Sequence, residues 1–267
     1  TKWREREKDD GVAAPYKKFS RMSEAFFKAR LQAGEEKDPV ERWRLARDFH
    51  AKVLEESLGY QYKPTAERLP DGDWVPLLFT QERDGRPFLW AVDTGFVNEE
   101  DESPLDQAPL PEQLPESYRQ NPEETPLAQQ TWRELLDSAI FRQETPPRWV
   151  LFFGGDDILL LDGYKWGQGK FLRYELPDLL SRKNKDALRA TTALLHQEVL
   201  NPDDDLCLLD TLDENNHKHA YAVSADLKYG AREAIELLGN EAIRYKREVT
   251  KEGVFNNDEI AQQVTEE

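Results

Sequence analysis

Apolar residues recur along the chain with two different spacings, one typical of helices and one typical of strands. Between positions 16 and 31, the apolar residues Phe19, Met22, Phe26 and Phe27 recur at helical spacing, which predicts a helix. A second helix is predicted to begin at Asp38–Pro39, a capping residue followed by proline in the first turn. It is predicted to end at Leu58–Gly59, because Gly59 suits the left-handed conformation that follows many helices.

Five short apolar runs predict strands at 74–81, 87–94, 148–153, 157–162 and 170–176. The Asp84–Gly85 pair lies between the first two runs and predicts a tight hairpin turn. Further helices are predicted at 128–142, 185–200, 203–213 and 224–248. This order of elements predicts an α/β fold, with a mixed sheet flanked by helices and a helical C-terminal extension.

One stretch, 98–127, follows neither spacing. Its 30 residues include nine acidic residues, six prolines and one basic residue, Arg119. A segment with this composition has few apolar side chains to bury, so we expect an acidic, proline-rich insertion that forms a loop. We therefore predict two domains, an α/β domain over 1–200 that contains this insertion and a helical connector over 201–267.

Charge and composition limit the partners and the compartment. The net charge is −17, yet residues 1–50 hold 13 basic and ten acidic residues, so contacts with DNA phosphates are expected from the N-terminal helices. No apolar run approaches the roughly 20 residues of a membrane-spanning helix, so no membrane contact is expected. The single cysteine, Cys207, and the lack of a signal peptide favour the cytoplasm.

The strand at 87–94 ends in a carboxylate, Asp93, and this suggests a chemistry. Metal-dependent nucleases of the PD-(D/E)xK type place carboxylates at such a strand end to hold Mg²⁺, with a lysine two residues further on to polarise the attacking water. Here the candidate remnant of that site is Glu56, Asp73 and Asp93, with Asp73 and Asp93 as the metal ligands. Gly95 stands where the lysine would be.

The missing lysine leaves three interpretations of this strand. The first is a nuclease-shaped domain without cleavage activity. The second is an active Mg²⁺-dependent endonuclease that takes its ammonium group from elsewhere, such as Lys165 or Lys170. The third is an ordinary sheet in which Asp93 is a surface residue unrelated to catalysis, since an aspartate after an apolar strand is common in α/β proteins.

Four stretches resemble a known family: "FHAKVLEESLGYQY" (49–62), "VPLLFTQERDGRPFLWAVDT" (75–94), "RWVLFFGGDDILLLDGYKWGQGKFLRYELPDLL" (148–180) and "YAVSADLKYGAREAIELLGNEAI" (221–243). They are similar to the N-terminal region of large bacterial DNA adenine methyltransferases. These belong to type IIG restriction systems and to the BREX and DISARM phage-defence systems. The similarity covers most of the chain outside 98–127 and consists of general patterns.

The resemblance implies that a catalytic core follows this segment, binds S-adenosylmethionine and methylates a flipped-out adenine through an Asn-Pro-Pro-Tyr motif. Neither that motif nor a cofactor-binding glycine motif occurs in residues 1–267, so no cofactor is expected within this segment. The implied function is that of a catalytically inactive, nuclease-like module that positions DNA or a defence-complex subunit for the core. Two alternatives stay open: the active nuclease domain of a type IIG restriction enzyme, and an acidic protein-binding adaptor.

Overall fold

The computed structural model describes residues 11–70, 72–97, 103–119, 129–202 and 207–214, with single positions or short runs at 3, 6, 8, 228, 232, 234–238, 240 and 244. The chain divides into two compact units, Thr1–Cys207 and Leu208–Glu267. In the second unit the described residues are helical, while most of the helix predicted at 224–248 lies outside the described residues. The predicted domains 1–200 and 201–267 stay a prediction.

From residue 11 onward, where the description becomes continuous, the first helices are α1 (Pro15–Arg21), α2 (Ser23–Glu35) and α3 (Pro39–Lys52). Helix α3 begins as the sequence predicts, because the Asp38 side chain accepts a hydrogen bond from Val40 N. It continues into a π-helical turn, Val53–Ser57, and Gly59 then has φ +78°, which confirms the predicted left-handed end.

Over the residues that the structure describes, seven strands form two sheets. Strands β1 (Thr65–Arg68) and β2 (Trp74–Leu77) make a small antiparallel pair. The main sheet has the order β3–β4–β5–β6–β7, with bounds Phe79–Arg83, Arg86–Asp93, Trp149–Phe153, Asp157–Asp162 and Phe171–Glu175. Strands β4 and β5 are parallel and the other pairs are antiparallel, so the predicted mixed sheet is confirmed. Asp84 and Gly85 both have positive φ, as the predicted hairpin turn requires.

The remaining helices cover both faces of the sheet. Helix α4 (Trp132–Leu135) runs into a π-helical turn, Leu136–Ile140. After β7 come α5 (Leu176–Arg182), α6 (Lys185–Leu195) and α7 (Gln197–Leu200). Helices α6 and α7 together occupy the range 185–200, for which a single helix was predicted. The break falls at His196, which is extended and whose Nδ1 accepts the backbone N–H of Glu198 at the start of α7.

The predicted strand 74–81 is two strands. The break falls at Leu78, whose N–H donates to Ala91 O and whose carbonyl accepts from Lys63 N, so the chain passes from the small sheet to the main one. Proline at 76 has no N–H for a ladder, and it lies in the two-stranded sheet opposite Ala66.

The expectation that 98–127 buries little is wrong for the described part of that segment, residues 103–119. This part forms three 3₁₀ turns, Pro104–Asp106, Pro111–Gln113 and Glu116–Tyr118. Leu105 and Leu114 are 1% and 4% exposed, and Leu105 belongs to the core on the α4 side of the sheet. A few well-placed leucines are enough to fix the segment although its average composition is polar.

Paired glycines allow this segment to pack against the β5–β6 turn. A Cβ atom on Gly154 would lie 2.6 Å from Pro104 Cβ, and one on Gly155 would lie 2.3 Å from Phe96 Cα. The turn itself is the predicted hairpin, with Gly154 N donating to Asp157 O. The glycines are therefore required by close contact with residues far away in the sequence.

We predict that Gly155→Ala lowers the free energy of unfolding by about 2–3 kcal/mol, since the new methyl group overlaps backbone that cannot move independently. Gly34→Ala is the matched control, because nothing lies within 4 Å of a Cβ at that helical position. It should be neutral or stabilising by about 0.5–1 kcal/mol. Urea unfolding followed by tryptophan fluorescence measures both, and equal effects of the two substitutions would contradict the prediction.

Candidate functional site

Asp93 is the last residue of β4 and is 4% exposed. Side chains alternate between the two faces of a strand, so Asp93 shares a face with Leu89 and Ala91. Helix α3 covers this face. The sequence therefore places a carboxylate inside the core, where it needs hydrogen-bond donors to offset the loss of water.

Two of its neighbours come from helix α3. Trp43 Nε1 donates to Asp93 Oδ2 at 3.0 Å, and His50 Nδ1 lies 3.5 Å from the same oxygen. Trp43 and His50 are seven residues apart, two helical turns, so they share one face of α3. His50 is fully buried, and its other nitrogen, Nε2, has no hydrogen-bond partner in the described part of the chain.

The third neighbour comes from the acidic segment. Gln113 Nε2 donates to the backbone oxygen of Asp93 at 2.7 Å and to Oδ1 at 3.2 Å. The Gln113 side-chain oxygen accepts from Leu110 N at 2.6 Å, so the amide is fixed from both ends. Helix α3, strand β4 and segment 103–119 thus meet at one carboxylate.

The two residues after Asp93 are held as tightly. Thr94 Oγ1 donates to Gln107 Oε1 at 2.6 Å, and Gln107 Nε2 donates to Gly95 O at 3.4 Å. A Cβ atom on Gly95 would lie 3.2 Å from Trp43 N and 3.3 Å from its Cα. The position that holds lysine in a PD-(D/E)xK nuclease is therefore pressed against the backbone of helix α3.

The negative charge of Asp93 also affects the pKa of Tyr62, which lies shortly after the π-helical turn that ends helix α3. Burial raises the pKa of the Tyr62 phenol, Arg47 opposes this, and the carboxylates of Asp93, Asp48 and Glu55 add to the rise. The phenol accordingly stays protonated and can act as a hydrogen-bond donor beside the buried cluster.

The other predicted site residues lie apart from this cluster. Glu56 is exposed on the π-helical turn, and its neighbour Glu55 lines an open pocket of about 530 Å³ with Tyr60 and Gln61. Asp73 is half-buried just before β2, and its carbonyl accepts from Leu69 N. Asp71, the other acidic residue of that turn, lies outside the described residues.

The surroundings of Asp93 do not fit a metal ion. Its two carboxylate oxygens face the N–H donors of Trp43 and Gln113, whereas a cation needs further oxygen ligands in those directions. Within the described ranges, no three His, Cys, Asp or Glu side chains form a group that could hold a metal. Glu56, Asp73 and Asp93 are therefore not brought together, and a metal at Asp73 and Asp93 has no support from this geometry.

Trp43, His50 and Gln113 were not predicted as members of the site. The spacing of Trp43 and His50 on one helix face was a usable signal, because a polar histidine in that apolar stripe requires a polar partner. Gln113 gave no such signal, since it lies among prolines and acidic residues without periodic spacing.

Compared with known proteins, the chain matches no family model, no curated protein and no solved structure. Over the residues that the structure describes, none of the helices combines the length and apolar character needed to cross a membrane.

We predict that Asp93→Ala lowers the free energy of unfolding by about 2–4 kcal/mol, because it leaves the buried donors of Trp43 and Gln113 unpaired. Asp93→Asn keeps an acceptor oxygen and should cost about half as much. Urea unfolding of both variants and of the exposed control Glu56→Ala, which should change little, tests this. If Asp93→Ala were as stable as the wild type, the carboxylate would not hold the three segments together.

Proposed function

We propose that this chain is a catalytically inactive, nuclease-like module of a DNA adenine methyltransferase from a restriction–modification or phage-defence system. In this proposal it positions DNA or a partner subunit for a core that binds S-adenosylmethionine. The single observation that carries the lack of activity is the burial of Asp93 among Trp43, His50 and Gln113. A carboxylate whose oxygens are bound by protein donors stabilises the fold and does not activate water.

The arrangement of the elements supports the nuclease-like part of the proposal. A helix packs over the strand that ends in Asp93, and a further parallel strand, β5, follows after a connection that contains helix α4. Carboxylates at the end of such a strand are what a metal-dependent nuclease requires. The order and pairing of the elements therefore support the nuclease-like fold, whereas the proposed family rests on the sequence resemblance.

Gly95 supports the absence of cleavage independently. A lysine there would need its Cβ 3.2 Å from the backbone of Trp43, so helix α3 would have to move away by some tenths of an ångström. Reversal to an active Glu-x-Lys arrangement thus requires more than one substitution.

The alternative of an active endonuclease with a lysine from Lys165 or Lys170 is disfavoured by the strand register. Asp93 pairs with Phe153 at the end of β5, whereas Asp162, which precedes both lysines, pairs with Trp149 at its beginning. Four residues of strand separate the two levels, or about 13 Å. A lysine side chain, which extends about 6 Å, does not cover that distance from the turn.

We expect the chain to bind duplex DNA with an affinity that falls steeply as salt rises, and to leave supercoiled plasmid intact in the presence of Mg²⁺ or Mn²⁺. A nicking assay together with fluorescence anisotropy at several salt concentrations measures both properties. Asp93→Asn is the control for cleavage. Nicking by the wild type that disappears in Asp93→Asn would contradict inactivity, and an absence of DNA binding at low salt would contradict the DNA-positioning role.

A further inference from the structure

The turn between β6 and β7, residues 163–170, presents a tyrosine to solvent. Tyr164 is 77% exposed, which is more than any other large hydrophobic or aromatic residue among the described positions. An isolated exposed leucine needs no explanation, but a tyrosine ring held outward in a fixed position offers a flat surface for a ligand.

Tyr164 is fixed in place before any ligand binds. Its backbone N–H donates to Asp162 Oδ1 at 2.8 Å. The guanidinium of Arg148 lies 4.2 Å from the centre of the Tyr164 ring and 4.1 Å from that of Trp149, and it also pairs with Asp162. Trp149, Arg148 and Tyr164 therefore form a stack whose outer member is the tyrosine, so a ligand would meet a preorganised surface.

The same stretch is locally basic in an acidic protein. From Gly163 to Tyr174 the sequence contains Lys165, Lys170 and Arg173 and no acidic residue, although the whole chain has a net charge of −17. Lys170 is exposed, and Arg173 pairs with Asp157. Arg173 also lies 3.9 Å from Glu175, so the positive charge that a phosphate would meet at the turn is mainly that of the exposed Lys170.

Two acidic side chains that contact the turn are already engaged. Asp162 accepts from Arg148 and from Tyr164 N, and Asp137 accepts from Trp166 Nε1 at 2.5 Å. Both carboxylates therefore hold the turn in shape, and their charge is partly balanced by these donors. Their presence is compatible with an anionic ligand on the outer side.

The turn also leaves space beside the tyrosine. No atom lies within 4 Å of a Cβ built on Gly167 or on Gly169. Phe171, the next aromatic residue, is 39% exposed and lies 6.2 Å from Trp166, ring centre to ring centre. The turn thus presents a second, partly exposed aromatic ring in addition to Tyr164.

We infer that the β6–β7 turn binds single-stranded DNA, with an unpaired base stacked on the free face of Tyr164 and a neighbouring phosphate near Lys170. Stacking on an aromatic ring together with a nearby cation is the usual basis of sequence-independent single-strand binding. The inference deepens the proposed function and rests on it, because it names the form of DNA that the module holds. It concerns the end of the sheet opposite Asp93.

The test uses a fluorescein-labelled oligothymidylate and a labelled duplex of equal length, with affinities from fluorescence anisotropy. Tyr164→Ala should weaken oligothymidylate binding roughly tenfold, and Tyr164→Phe should stay within about twofold of the wild type, since the ring is kept. Duplex affinity should not change in either variant. Lys170→Ala should reduce the slope of log affinity against log salt by about one counterion.

Tyr118→Ala is the matched control, because Tyr118 is a partly exposed tyrosine that packs on another aromatic ring, Trp74, in the acidic segment. It should bind oligothymidylate like the wild type. Tyr164 buries little surface, so we expect its variants to unfold at the same midpoint as the wild type. Unchanged unfolding midpoints in all variants would exclude loss of structure as the cause of weaker binding.

The outcomes separate this inference from the proposed function. If the wild type binds duplex DNA and Tyr164→Ala binds oligothymidylate unchanged, the inference is wrong and the proposed function stands. If the wild type binds neither nucleic acid, the DNA-positioning role fails as well. Binding of polyglutamate that depends on Tyr164, without binding of oligothymidylate, would assign the turn to an acidic protein partner and overturn the inference.

Discussion

The fold depends on satisfying one buried carboxylate. Asp93 lies at the end of a largely apolar strand. An unpaired charge in that position would destabilise the fold by about 3–5 kcal/mol, the cost of removing one partner from a buried ion pair. Donors from helix α3 and from segment 103–119 remove this penalty only if both elements are in place. The carboxylate therefore couples three segments that are far apart in the sequence, and its contact with Gln113 adds to the burial of Leu105 and Leu114 in holding residues 103–119 against the sheet.

This requirement conflicts with catalysis. A metal-dependent nuclease needs the carboxylate oxygens at such a strand end to face a cation and water, and it needs an ammonium group close by. Here the oxygens face N–H groups of Trp43 and Gln113, and a side chain at Gly95 would require the backbone of helix α3 to move by some tenths of an ångström. The same residues cannot serve both purposes, so the packing around Asp93 fits a structural role for this carboxylate.

Features that depend on neighbouring residues were predictable from the sequence. The Asp38 cap, the Asp84–Gly85 turn and the apolar runs of β5 and β6 were each recognised from a few adjacent positions, and the structure confirms them. Features that depend on distant contacts were not predictable. The break at Leu78 follows from a hydrogen bond to Ala91, and the role of Gln113 follows from its contact with a strand 20 residues earlier.

The paired glycines between β5 and β6 show the same limit. They were correctly interpreted as a turn, but their absolute need for small residues comes from Pro104 and Phe96, which no local pattern connects to them. Of the predicted site residues, only Asp93 lies in the buried cluster, and a carboxylate after an apolar strand is a local signal that the sequence shows. Its partners required the tertiary structure.

The two ends of the central strands differ in what they leave for binding. At the carboxyl ends of β4 and β5, Gln113 binds the buried Asp93 and the glycine turn packs against Pro104 and Phe96, so this edge is occupied by contacts within the fold. At the opposite end, the Arg148 stack projects Tyr164 into solvent beside Lys170. Both ends belong to one hydrogen-bonded sheet, so the strand register that places Asp93 at the closed end also places the β6–β7 turn at the open end. In the proposed function, DNA would be held at the open end, because contacts within the fold occupy the closed end.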